Sequence, residues 1–140
     1  MLEAVLPNGK TVRLIFDTGY DSLADALLYE SSSGELSFVQ TGESEIKDAN
    51  GSYPVRFGEI ESLKIGDIRL APAFIQLSKQ SSAERSKLEY GGMIGAFPFK
   101  ECVIAVDYPK LKLLVSARID RDQSKSKEPS RVNTTCTSGN

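Results

Sequence analysis

The sequence reads as a mainly β protein, and three observations carry that reading. Short apolar-rich runs of three to ten residues recur along the chain, bounded by turn dipeptides such as Asn8-Gly9, Asn50-Gly51 and Gly66-Asp67. One of these runs, Thr11 to Phe16, alternates apolar Val12, Leu14 and Phe16 with Arg13 and Ile15, the period of a strand. The last apolar segments, Cys102 to Asp107 and Leu111 to Val115, flank Tyr108-Pro109-Lys110 as a closing hairpin.

In chain order, Glu3 to Leu6 and Thr11 to Phe16 form two strands joined by Pro7-Asn8-Gly9-Lys10. The second strand becomes apolar on both faces toward its end, as a strand entering a core does. It stops at Asp17-Thr18-Gly19. Leu23 to Tyr29 fits a helical turn or a strand, because so short an apolar run has no decisive period. Ser31-Ser32-Ser33-Gly34 reads as a loop. Leu36 to Glu45 and Tyr53 to Ile60 read as strands around a turn at Asp48-Ala49-Asn50-Gly51. Ser62 to Ile65 and Ile68 to Leu70 flank the Gly66-Asp67 turn, and Ala73 to Leu77 follows as an apolar strand. Lys79 to Glu89 is polar and reads as a helix or a surface loop. The chain therefore divides into one domain over residues 1–117 and a polar tail over 118–140. The tail's only large apolar residues are Ile119 and Val132, too few to offset its ordering entropy, and disorder is expected there.

Composition excludes much chemistry. The 140 residues contain no histidine, which removes Ser-His-Asp and Cys-His catalysis and any zinc site that needs imidazole. Cys102 and Cys136 stand far apart without a CxxC, so neither a disulfide framework nor a metal cluster is expected. Cys102, among apolar neighbours, reads as a small core residue, and Cys136 as an exposed thiol in the tail. A net charge of −2 gives no reason to expect nucleic acid. No apolar run reaches the roughly 18 residues of a membrane span. The start, Met1-Leu2-Glu3-Ala4-Val5-Leu6, lacks the basic and apolar regions of a secretory signal. With no cysteine bridges and no signal, the expectation is a cytoplasmic protein. The chain begins almost inside its first strand, which also fits a domain trimmed from a larger or anchored protein.

Chemistry then rests on carboxylates, lysine, hydroxyls or a metal held by oxygen. The salient group is Asp17, at the end of the apolar strand Leu14-Ile15-Phe16 and followed by Thr18 and Gly19. An acid leaving a core strand is presented rigidly, and glycine permits a sharp turn with close backbone approach. The bland alternative is an Asp that caps its own turn, with Gly19 at positive φ. A second element is Gly91-Gly92-Met93-Ile94-Gly95, two apolar residues closed by glycine just ahead of the final hairpin.

Taken in order, the hairpin into L-I-F-D-T-G, a glycine-bearing turn mid-chain, G-G-M-I-G and V-I-A-V-D-Y-P-K-L-K-L-L-V resemble the retropepsin-like aspartic proteases, of bacterial or archaeal type, over about Leu2 to Ala117. The resemblance implies a closed β-barrel, one half-lobe of an acid protease, with one short helix. It implies that Asp17 is the catalytic acid, that Thr18 braces the active-site loops and that Gly19 allows the turn. Gly92, Met93, Ile94 and Gly95 would pack behind that loop. Asn50, Gly51, Ser52 and Tyr53 would form the flap over an extended peptide or protein substrate. It implies no cofactor and no metal.

Peptide hydrolysis by this route needs two carboxylates, and the chain carries one D-T-G motif. The partner is then a second Asp17 related by two-fold symmetry, so a homodimer is expected. Tyr20 stands where many retropepsins have a small residue, which puts pocket shapes borrowed from viral enzymes in doubt. Asp21 either adds charge near the dyad or is a surface turn residue. Two other readings compete. One is a non-catalytic dimeric module of the same fold that binds peptide or protein. The other is a lysine-assisted serine hydrolase using Ser22 or Ser31 to Ser33, residues that carry no signature of that chemistry.

Overall fold

The computed structural model describes residues 1–48, 51–79, 89–117 and 134–135. More than half of the described residues lie in strands, which makes the class mainly β, with one short helix and a curled half-barrel sheet. The strands are β1 (Leu2–Val5), β2 (Thr11–Phe16), β3 (Ala26–Tyr29), β4 (Val39–Asp48), β5 (Gly51–Ile60), β6 (Leu63–Ile65), β7 (Ile68–Leu70), β8 (Ala73–Ser78), β9 (Gly92–Ile94), β10 (Cys102–Asp107), β11 (Lys112–Ala117) and β12 (Thr134–Thr135). The helix α1 is the single turn Glu30–Ser33, and Phe97–Phe99 forms a 3₁₀ turn.

Ten strands join in the order β12-β7-β6-β1-β2-β9-β3-β8-β5-β4, and β10 and β11 pair separately. The resemblance implies a closed barrel; the ladder found among the described residues has two end strands, β12 and β4. Most neighbours pair antiparallel, as expected for short hairpins. Two parallel pairings interrupt that pattern: β2 runs beside β9 with Leu14, Ile15 and Phe16 opposite Gly92, Met93 and Ile94, and β3 runs beside β8. β3 and β9 meet antiparallel, with Leu27 opposite Met93.

This centre explains why several strands are apolar on both sides. Successive side chains leave a strand on opposite faces. Leu14, Leu28, Ile75 and Ile94 point into the main core, which also holds Ala4, Leu63, Leu70 and Phe99. Their neighbours Ile15, Leu27 and Met93 point the other way, into a second cluster with Tyr20, Tyr29 and Tyr90. Each fully buried leucine or isoleucine contributes about 1.5–3 kcal/mol by leaving water.

Turn chemistry follows the sequence closely at two hairpins. Gly9 (φ 80°) and Gly66 (φ 57°) take the left-handed conformation their turns require. The helical turn is a difference, since Ser31-Ser32-Ser33 read as a loop. The reason lies in contacts remote in sequence: Asn8 Nδ2 donates to the carbonyls of Ser33 and Glu35, at 3.0 and 2.9 Å, satisfying acceptors at the helix end. Ser33 Oγ adds a bond to the Tyr29 carbonyl at 2.7 Å. Leu23 to Tyr29 resolves as strand, at Ala26–Tyr29, because β8 and β9 flank it on both sides.

A second correction concerns Cys102. It is disulfide-bonded rather than a free core thiol, which removes the lack of cysteine bridges as a ground for a cytoplasmic location. Of the tail, only Thr134–Thr135 is among the described residues, paired antiparallel with Arg69 and Leu70 of β7. The expected turn at Ala49-Asn50, most of Lys79 to Glu89, Cys136 and the rest of the tail lie outside the described residues. Among the described residues no helix is long and apolar enough to cross a membrane.

Candidate functional site

Asp17 follows β2 directly and is held on three sides. Its N–H donates to the Ile94 carbonyl at 3.0 Å, extending the β2–β9 pairing by one residue. Its carbonyl accepts from the Tyr20 N–H at 3.1 Å. Its Oδ1 accepts from the Gly19 N–H at 2.8 Å. The carboxylate is thus anchored through one oxygen, on a turn that leaves a core strand. Asp17 is half-buried, and Thr18 and Gly19 are exposed beside it.

Gly19 is not at positive φ, so the left-handed requirement considered for it does not apply. What favours glycine there is proximity: a Cβ would stand 3.2 Å from Asp17 Oδ1. Closeness also accounts for the glycines of β9 and its end. A Cβ on Gly95 would stand 2.5 Å from the Tyr20 carbonyl oxygen and 3.5 Å from that of Asp17. A Cβ on Gly92 would collide with the Leu27 carbonyl of β3. Gly92, Met93, Ile94 and Gly95 therefore lie against the Asp17–Tyr20 turn and the strands around it: Met93 in the second cluster, Ile94 in the core and Gly95 against the turn.

Tyr20 reaches across the sheet. Its hydroxyl donates to Gln76 Oε1 at 2.9 Å, linking positions 56 apart in sequence. Gln76 is buried in the middle of β8, between Leu27 of β3 and Phe57 of β5. Burial pushes the Tyr20 phenol above its ordinary value of 10.0; a hydrogen bond with Ser22 opposes this, and the nearby Tyr29 adds to it. Asp21 is exposed, which fits its reading as a surface turn residue.

The β4–β5 hairpin has the form of an arm. β5 pairs with β8 only from Val55 to Ile60, whereas its pairing with β4 continues to Gly51. Pro54, with no N–H to donate, stands where the β8 ladder stops. Of the flap residues, Gly51 (φ 131°) and Ser52 are exposed, Tyr53 is half-buried, and Asn50 lies outside the described residues. The base of the arm is clamped. Arg56 Nη2 of β5 donates to Glu30 Oε1 of α1, and its guanidinium lies 5.4 Å from the Phe38 ring centroid.

Sequence reasoning passed over Gln76, Asp25 and Arg56. Gln76 and Asp25 did carry a signal, each being the lone polar residue of an apolar run, A-F-I-Q-L and L-A-D-A-L-L. Asp25 joins the start of β3 to β8, its N–H donating to the Phe74 carbonyl at 2.7 Å and its Oδ2 accepting from the Phe74 N–H at 2.8 Å. Its carboxyl is raised above the ordinary 3.8, chiefly by burial; the Phe74 bond and the charge of Lys100 partly offset that. No group of three His, Cys, Asp or Glu side chains converges as metal ligands do among the described residues.

Comparison of the chain with protein-family models, curated proteins and solved structures finds no match.

Proposed function

We propose that the chain is a carboxylate-dependent hydrolase of the acid-protease class, its half-barrel being one lobe of a closed retropepsin-like barrel assembly. More particularly, it is one protomer of a homodimeric aspartic endopeptidase. The observation that carries this reading is the Asp17 turn: a carboxylate at the end of a core strand, fixed through its backbone and one oxygen, with exposed Thr18 and Gly19 beside it.

In the dimer, two Asp17 carboxylates share one proton, because like charges so close do not both ionise cheaply. The ionised member takes a proton from water as that water attacks the peptide carbonyl carbon. The protonated member donates to the carbonyl oxygen. Collapse of the tetrahedral intermediate breaks the C–N bond, and a proton passes to the leaving amine. Thr18 braces one turn against its symmetry mate. The β4–β5 arm supplies the flap. The substrate is an extended peptide held by main-chain hydrogen bonds. The half-buried Ile15, Tyr20 and Met93, in the cluster next to the Asp17 turn, favour an apolar substrate side chain.

The test is digestion of an unfolded protein at several pH values, with and without pepstatin, by the native chain and by Asp17→Asn, alongside native mass. Pepstatin-sensitive cleavage by a dimer is expected, falling roughly 100- to 10,000-fold in the variant while its fold is kept. Cleavage undiminished in Asp17→Asn overturns the proposal. A folded dimer that binds peptide without cutting it makes the chain a binding module.

A further inference from the structure

We infer that Tyr20 is a positioning residue whose hydroxyl, held by Gln76, sets the orientation of the Asp17 turn. The inference rests on the reading of Asp17 as the reacting carboxylate.

Three contacts converge on Tyr20, one for each part of the residue. Its N–H is bonded to the Asp17 carbonyl at 3.1 Å. Its carbonyl oxygen faces Gly95 so closely that a single added carbon would stand 2.5 Å away. Its hydroxyl is bonded to Gln76 at 2.9 Å. The first closes the turn on itself; the second, with the Asp17 N–H bond to the Ile94 carbonyl, fixes where the turn lies along β9. The third approaches from β8, two strands beyond β9 in the sheet. A turn held only from β9 retains a rocking freedom about Gly19, whose N–H makes the bond to Asp17 Oδ1. The Tyr20–Gln76 bond removes that freedom.

Gln76 is suited to be the fixed end. It is 5% exposed, its strand is hydrogen-bonded to β3 on one side and to β5 on the other, and its row of the sheet is otherwise apolar (Ile15, Met93, Leu27, Phe57). A buried amide in such a row requires a polar partner, and the phenol of Tyr20 provides one. A phenylalanine at position 20 would keep the ring in the cluster of Leu27, Tyr29 and Tyr90 and lose the hydroxyl's bonds to Gln76 and Ser22, whereas Gln76→Met breaks the first alone. Catalysis responds steeply to placement of the reacting group, so a small loosening is visible in turnover.

The experiment compares the native chain with Tyr20→Phe, Gln76→Met and the double variant in two readouts. The first is steady-state cleavage of the unfolded-protein substrate. Each single variant is expected to lose roughly tenfold in kcat with KM within about twofold, and the double to lose no more than Tyr20→Phe alone, since both substitutions break the Tyr20–Gln76 bond. The second is exchange of the Gly19 amide followed by NMR, expected to quicken severalfold in every variant relative to the Leu14 amide. Unchanged Gly19 exchange in the variants overturns the inference, as does a purely additive double variant or a loss confined to thermal stability. The exchange readout needs no activity. A native chain that cuts nothing, with Gly19 exchange quickened in Tyr20→Phe, sinks the peptidase reading and leaves the hold on the Asp17 turn standing.

Discussion

Replacing Gly95 with alanine perturbs the Asp17 turn with a single carbon. The added Cβ would stand 2.5 Å from the Tyr20 carbonyl oxygen and 3.1 Å from Tyr20 Cδ1, whereas real Cβ atoms essentially never come within 3.0 Å of a neighbour. The carbonyl must retreat by at least the difference, 3.0 − 2.5 = 0.5 Å. It belongs to a backbone tied to Asp17 and, through its side chain, to Gln76, so the displacement is not taken up by a free side-chain end. Overpacking of this kind costs about 1–3 kcal/mol. Against that stands a gain of roughly 0.4–1 kcal/mol, because alanine narrows the unfolded ensemble. Gly42→Ala isolates the clash, since a Cβ there meets nothing within 4 Å and its φ is not positive. The difference between the two variants should be about 1–3 kcal/mol in urea unfolding, with the Gly95 variant melting about 5–15 °C lower. Equal stabilities, within about 0.5 kcal/mol, would show that the Asp17 turn does not press on β9 as described.

Other expectations follow from groups outside that turn. Asp25 has a folded-state carboxyl raised above its ordinary 3.8, so between that value and the raised one the folded chain holds more protons than the unfolded chain. Stability in that window therefore rises as pH falls, and Asp25→Asn, which keeps an oxygen for the Phe74 N–H, should flatten the slope in denaturant titrations from pH 3 upward, the window following from this shift. The opposite slope would contradict the burial of that carboxyl. The Arg56–Glu30 pair is partly exposed, so a double-mutant cycle with Arg56→Met and Glu30→Gln should give a coupling of about 1 kcal/mol or less, weakening with salt. Arg56→Met should also quicken proteolytic nicking within the β4–β5 arm, since the guanidinium ties its base to Phe38 and α1. An unchanged nicking rate would show that the clamp does not restrain the arm.

Much of this molecule is legible residue by residue. The period of Val12, Leu14 and Phe16 marked β2, and the same alternation sends Ile15 to the opposite cluster. Asn8-Gly9 and Gly66-Asp67 marked turns because glycine alone takes positive φ without strain, and Asp17 stood out as an acid at the end of a core strand. These are local properties of covalent geometry and hydrophobic pattern, readable without knowing what lies across the sheet.

Tertiary structure decided the rest, because the deciding contacts join residues far apart in sequence. Leu23 to Tyr29 was undetermined until β8 and β9 enclosed it, and three serines became a helical turn because Asn8 bonds its end. Nothing near Gly95 or Gln76 in sequence reveals that one faces the Tyr20 carbonyl and the other holds the Tyr20 hydroxyl. Sequence supplied a carboxylate at a strand end; the parallel pairing of β2 with β9 and the bond across to β8 determined how rigidly that carboxylate is held. Propensity acts over a few residues, whereas close packing and buried hydrogen bonds act over a few ångströms, and only folding makes the two coincide.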